Sequence, residues 1–297
     1  MGKAEMKWYR LVFEQIQPMH IKKSSYGVMA ETELFIPGQS MWGALTRSYN
    51  LYCGAGPDEN RDLFSAITCF YPSFDGVSIL APSYRNGMLF LGENITEDEF
   101  RFAYTDTFVS TAISPLTGSA ADESLHETDI LLPRPKYELA DKGICNKANL
   151  KWIGLLGLGD DGGKAEGFLK ENGLEVHIGG EIRYGLGLLV LREAAESDVW
   201  TVKEWNINEE GRLHLENGRN ILRNFLQIDS GVNDMLKWKG AVVPLAELDF
   251  SRNEPVITEA CLYLNTGSSV CVENMDDLDI SGFRLSKGKL KRIERAC

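Results

Sequence analysis

The sequence predicts an α+β chain: a ferredoxin-like sheet with insertions over residues 1–195, followed by a smaller α+β module over residues 196–297. Three observations carry that expectation. Residues 8–192 read in the order strand, helix, strands, strand, helix, strand, which is a split βαβ arrangement. The 297 residues are 43% hydrophobic and 25% charged, enough apolar material for a core and too little charge excess for disorder. Beyond residue 192 that order stops, and a further helix and strand must belong to a second module.

Residues 8–21, WYRLVFEQIQPMHI, mix aromatic and β-branched residues with rough alternation and read as a strand ending near Pro18. In LFIPGQSMWGALTRSYN, Pro37 and Gly38 mark a turn and Ser40 stands as an N-cap. Met41, Ala44, Leu45 and Tyr49 then share one helical face, with Arg47 off it. Residues 52–76 read as a loop-rich insertion. VSILAPSYR and NGMLFLGEN form a strand pair about Asn86-Gly87, a strong turn dipeptide. Thr96 and Glu99 spell a capping box opening the helix TEDEFRFAY, with Phe100 and Tyr104 on one side. Residues 110–136 are polar with little periodicity, as functional loops or disordered segments are. LKWIGLLGL, residues 150–158, is a buried strand; a helix with Ala165, Phe168 and Leu169 inward stops at Gly173, and a strand follows over 186–192. The second module is expected to hold an amphipathic helix over 217–227, with Ile221, Leu222, Phe225 and Leu226 inward, and the strand ITEACLYLN.

The composition excludes several classes. The apolar runs fall far short of the roughly 20 residues of a membrane span, so no membrane is expected. MGKAEMKWYR lacks the roughly 7–15-residue apolar block of a secretory signal, which points to the cytoplasm. Six scattered cysteines, without C-x-x-C or histidines at zinc spacing, read as reduced thiols, so no metal is expected. The formal charge is −12, which argues against a polyanion partner. Its distribution is uneven. Residues 1–56 hold six basic and four acidic residues, and residues 283–297 hold six basic and one acidic. Such a chain either presents a basic face while its acidic bulk meets solvent or basic subunits, or merely carries a soluble acidic surface and a frayed basic tail.

Gly157, Gly159 and Gly162 spell G-x-G-x-x-G after a strand and before a helix. Asp160 and Asp161 occupy the turn that would cradle a pyrophosphate, and their charge opposes it; a glycine-rich connection with aspartates capping the helix is the better account, and no cofactor is expected. The other cluster, IGGEIRYGLG, leads into a strand, so it is no P-loop. It is either an ordinary turn or an arch in which Gly179, Gly180, Gly185 and Gly187 let backbone N–H groups approach phosphates, with Arg183 adding charge and Tyr184 a stacking face. The four histidines, His20, His126, His177 and His214, have no nucleophile elbow or H-E-x-x-H, so no catalytic residue is named. Asp276 and Asp277 read as a solvated face.

Taken in order, four segments resemble the RAMP superfamily of CRISPR-associated proteins: the strand ending in PMHI, FIPGQSMWGALTR, the loop TAISPLTGSAADESLHETD, and HIGGEIRYGLG. In the second, Thr46 intervenes before the family's arginine, here Arg47. The similarity spans residues 8–192 and is nearest to the subunit that caps the 5′ handle of the guide RNA in type III-D and type VII effectors. The resemblance implies an RRM-like RAMP domain with a glycine-rich loop, which holds single-stranded crRNA by its backbone and by stacking. Other Cas subunits would be its partners, and target nucleic acid would meet it only indirectly. It implies an RNA face of His20, Lys22, Lys23 and Tyr26 after the first strand; Ser40, Trp42 and Arg47 on the first helix; and Arg183, Tyr184 and their glycines. Thr117, Gly118 and Ser119 would reach along the RNA or toward a neighbouring subunit. Target-cutting relatives place an aspartate between first strand and first helix; residues 22–35 hold Glu31 and Glu33 but no Asp. The expected role is therefore non-catalytic. The alternative is a metal-independent endoribonuclease that processes precursor crRNA with His20 as base.

Overall fold

A computed structural model describes residues 6–145, 147–159, 162–171, 173–228, 236–249, 254, 256–272 and 282–293. It is mixed α/β, with many strands and few helices. The chain opens with β1 (Lys7–Gln15), β2 (Lys22–Tyr26), β3 (Met29–Thr32), α1 (Gly38–Cys53) and β4 (Tyr71–Ser73). It continues through β5 (Pro82–Arg85), β6 (Met88–Leu91), β7 (Ile95–Thr96), α2 (Glu97–Tyr104), β8 (Thr105–Ser110) and β9 (His126–Leu131). Next come β10 (Lys151–Leu158), α3 (Gly163–Leu169), β11 (Glu175–His177) and β12 (Leu188–Glu196). The remainder comprises α4 (Val199–Glu204), β13 (Gly218–Ile221), β14 (Phe225–Gln227), β15 (Lys237–Lys239), β16 (Val242–Asp249), β17 (Val256–Leu264), β18 (Ser269–Val272), β19 (Phe283–Ser286) and β20 (Lys289–Arg292).

The central sheet runs β11-β12-β1-β10-β4, antiparallel throughout. Alternation along β1 sends Tyr9, Leu11 and Phe13 to one face, where Met41, Leu45 and Tyr49 of α1 and Phe168 and Leu169 of α3 cover them. Trp8 and, on β10, Leu155 face the other way, into a second core with Tyr71, Trp205, Phe225 and Tyr263. There Tyr71 stacks on Trp205 with centroids 5.5 Å apart. The C-terminal half thus packs on the face of the sheet that the helices leave open. Each large side chain so buried contributes roughly 1.5–3 kcal/mol.

The Asn86-Gly87 turn joins β5 to β6 with both residues at positive φ, and the Thr96–Glu99 capping box opens α2 with both reciprocal hydrogen bonds made. Four expectations need correction. The first strand stops at Gln15, because the buried Gln15 amide donates to the Gln17 and Leu131 carbonyls and turns the chain before Pro18. Helix α1 is capped by Pro37, and Ser40 lies inside its first turn. The polar stretch 110–136 contains β9, which pairs along its whole length with β8. Residues 217–227 are the strands β13 and β14 instead of a helix. Asn224, between them, is fully buried; it accepts the Cys69 amide at 3.1 Å and donates to the Trp205 carbonyl at 2.9 Å. Those distant partners outweigh a helical spacing of apolar residues. Among the described residues no helix is long and apolar enough to cross a membrane.

Candidate functional site

Strands β11 and β12 pair from Glu175 to His177, so Ile178–Gly187 is an arch closing that pair. Its feet are fixed by backbone. The Gly187 amide donates to the Pro18 carbonyl at 2.8 Å, the Ile178 amide to the Gly187 carbonyl at 2.9 Å, and the Gly180 amide to the His20 carbonyl at 2.9 Å. Gly179 and Gly187 sit at φ +81° and +89°; a Cβ on the first would overlap the His20 carbonyl oxygen, and on the second the Ile178 carbonyl oxygen. No other residue fits there. Gly185, at φ +80°, ends a single helical turn over Ile182–Tyr184 and has open space around it.

The locked feet hold the crown outward. Arg183 is exposed, and Tyr184 is 63% exposed with its ring tilted against Phe108 of β8 at 5.6 Å. Beneath the arch His20 is only 6% exposed, its Nδ1 lies 2.7 Å from the Asp129 carbonyl, and its ring lies under Gly180. Beside it, Arg101 pairs with Glu31 at 2.7 Å, Glu97 at 3.0 Å and Asp129 at 3.3 Å, and Lys23 pairs with Glu31 and Glu97. Burial works against the Glu31 carboxylate, but hydrogen bonds from Lys23 and Ser24 and the charge of Arg101 hold its pKa below the usual range. Burial raises Asp129 and pushes Glu33 up to about 7. Among the described residues no three His, Cys, Asp or Glu side chains gather as metal ligands.

The other predicted residues spread out from this point. Lys22, Lys23 and Tyr26 lie on β2, at the edge of the sheet β2-β3-β9-β8 opposite β8, and Tyr26 is 70% exposed. Thr117, Gly118 and Ser119 form an exposed turn between β8 and β9, closed by a 2.7 Å bond between the two hydroxyls. On α1, Arg47 is exposed and Ser40 half-buried, while Trp42 donates to the Arg61 carbonyl at 2.7 Å and carries Lys287 over its ring at 3.9 Å. The structure therefore gathers His20, Gly179, Gly180 and Gly187, joins Tyr184 to the β8 side of one sheet, and turns Trp42 toward the C-terminal half. Phe108, Arg101 and Asp129 were not singled out from sequence. The alternation in TDTFVS was the one local sign that Phe108 sits on a strand.

The other glycine set is structural. Gly157 lies within β10, where a Cβ would collide with Met6 and crowd Trp8. Asp160 and Asp161, and likewise Asp276 and Asp277, fall outside the described residues. The basic C-terminal segment is not a frayed tail through Arg292: it forms β19 and β20. Lys289 reaches Glu247 at 2.6 Å, and Lys291 bridges Glu247 and Glu259. Burial opposes the charge on Glu247, but the hydrogen bonds from Lys289 and Lys291 prevail and hold its pKa at about 2. A half-open cavity of about 760 Å³ between the start of β1 and the turn at Glu209–Arg212 contains none of the predicted residues.

No protein-family model matches the chain, and no curated protein sequence matches it. Its fold is shared with solved structures. One is a chain of the cryo-EM structure of the type III-B Cmr-beta bound to cognate target RNA and AMPPnP, at TM-score 0.59 and 13% identity, covering 88% of this chain and 85% of that one. Another is a chain of the type III-B Cmr-beta bound to cognate target RNA, also at TM-score 0.59 and 13% identity, covering 96% of this chain and all of that one.

Proposed function

We propose that this chain is a non-catalytic RNA-binding subunit of a CRISPR ribonucleoprotein effector in the cytoplasm. It holds the crRNA, at the 5′ repeat-derived handle, among other Cas subunits, and meets target nucleic acid only through the guide. The observation that carries this proposal is the arch. Two glycines that no other residue can replace lock it, Gly179 against the His20 carbonyl and Gly187 against the Ile178 carbonyl, and the result is one exposed guanidinium and one exposed phenol ring side by side. A cation for phosphate and a ring face for a base are what a single-stranded nucleic acid requires of a sequence-tolerant site.

Two further features support it. The order β12-β1-β10-β4, with α1 between β1 and β4 and α3 between β10 and β12, is the order of a ferredoxin-like sheet. The solved chains that share the fold belong to a Cmr-beta bound to target RNA. The endoribonuclease alternative asks His20 to act as a base, yet its ring is buried and one ring nitrogen is engaged by the Asp129 carbonyl. That environment favours a structural histidine.

The test is to purify the tagged chain from its native host and sequence the RNA that comes with it. Short RNAs with a common 5′ repeat fragment and diverse spacers are expected, and Arg183→Ala with Tyr184→Ala should reduce their yield at least tenfold. Absence of such RNA, or undiminished yield from the double variant, would sink the proposal. Discrete cleavage of repeat RNA by the purified chain in a chelator would favour the nuclease instead.

A further inference from the structure

Phe102 lies on the water side of α2, while Phe100, Ala103 and Tyr104 of the same helix are buried. It is 58% exposed, and Tyr137, 54% exposed, stacks on it with ring centroids 4.7 Å apart and planes 13° apart. Two rings in water that hold each other nearly parallel are already ordered. A third ring laid on an outer face of the pair therefore costs little side-chain freedom.

The backbone ties this pair to the arch. The Lys136 amide donates to the Ala103 carbonyl at 2.7 Å, one residue before α2 ends and runs straight into β8. The Lys136 ammonium reaches Asp106 of β8 at 3.9 Å. Asp106 and Phe108 stand two positions apart, so they share a face of that strand, roughly 7 Å from one to the next. Phe108 is the ring that meets Tyr184. The order along this face is thus a stacked ring pair, a lysine, a second ring pair, and Arg183 beside it. Asp98, exposed one helical turn before Phe102, repels phosphates from the other side of the first pair, which leaves Lys136 as the side for a phosphate.

This setting selects the occupant. Between the two ring pairs stand a lysine and the aspartate it pairs with, whereas the core of a protein interface is depleted of charge around its aromatic anchors. Ring faces at intervals with cations beside them are the pattern that takes the bases and phosphates of one nucleic-acid strand.

We infer that Phe102 and Tyr137 form a second base-stacking platform for single-stranded RNA, reached from the arch along the Asp106–Phe108 face of β8, with Lys136 at the phosphate between the two. The inference rests on the arch being an RNA site and adds the direction in which the strand leaves it. The test puts a photo-activatable phenylalanine analogue at Tyr137 of the full chain in its native host, with the exposed Tyr52, near the C-terminal end of α1, as control. After irradiation an adduct to the co-purifying RNA is expected at Tyr137, and only background at Tyr52. Phe102→Ala should reduce that adduct and the RNA retained through a high-salt wash about fivefold or more, as loss of one stacked base does. Far-UV circular dichroism should stay unchanged, and Phe102→Tyr should retain both signals. If Phe102→Ala unfolds, Phe102→Leu, which keeps bulk and removes the ring face, serves instead. RNA that co-purifies without an adduct at Tyr137, an adduct there to another protein subunit, or retention unchanged by loss of the ring would overturn the inference and leave the arch reading intact. If the parent chain brings no RNA with it, the guide-binding reading fails and this inference fails with it.

Discussion

The glycines at 157–162 and those at 179–187 look alike in sequence and differ in what occupies the space where a side chain would be. At Gly157 that space belongs to Met6 and Trp8, so the glycine serves hydrophobic packing beneath a strand. At Gly179 and Gly187 it belongs to backbone carbonyl oxygens, and both residues sit at positive φ. The first kind lets two faces of a core close. The second lets two backbones touch and fixes a loop whose side chains point away from the contact. A glycine motif thus acquires meaning from its neighbour across the gap, which spacing along the chain does not reveal.

The sharpest way to break this contrast is to add a methyl group at each site. Gly179→Ala or Gly187→Ala should lower stability by about 3 kcal/mol or more, combining a forbidden backbone region with overlap on a carbonyl. Urea unfolding would measure it, and a loss below about 1 kcal/mol would mean that the arch is not locked.

A comparable effect is expected from pH. Glu33 donates its backbone amide to Ile21, next to His20, and burial raises its carboxyl from 4.5 to about 7. The folded chain therefore binds this proton more readily than the unfolded chain, and the associated stability is complete below about pH 4.5 and lost as pH rises to about 7. Glu33→Gln should flatten stability across that window and add about 3 kcal/mol at pH 8 relative to the parent. An unchanged slope in pH-dependent melting would show that Glu33 is not its source. Gly157→Ala should cost less, about 2 kcal/mol from overpacking, with the parent's pH slope and undiminished RNA yield. The smallest effect on folding is expected at the crown: Arg183→Ala with Tyr184→Ala should leave stability within about 0.5 kcal/mol, although RNA retention falls. A large stability loss there would make the crown part of the scaffold.

Much of the frame was legible because its causes are local. The Asn86-Gly87 turn, the Thr96–Glu99 capping box and the apolar faces of α1 and α3 each depend on residues within a few positions of one another. Residues 217–227 failed for the opposite reason: Asn224 finds its partners at Cys69 and Trp205, and nothing in the segment records them. The site divides in the same way. Gly179, Gly187, Arg183 and Tyr184 stand out by composition, whereas Phe108 and Asp129 join them only through the pairing of β8 with β9 and the hydrogen bond to His20. Charge misled as well, since lysines 287, 289 and 291 look like a basic tail and instead surround Glu247.

The close approach of Gly38 to Gly288 also sets a sequence of events during synthesis. A Cβ on either glycine would meet the other's backbone, and beside them Lys289 donates to Gln39, 250 residues earlier in the chain. The N-terminus of α1 therefore has no completed seat until 250 further residues have been made. Phe35 and Cys69 lie in the core that β19 and β20 help close through Phe283, Leu285 and Leu290, so on the nascent chain that core stays incomplete until β19 and β20 emerge. Apolar surface left open on a growing chain in this way is what favours misassembly before the distant strands arrive.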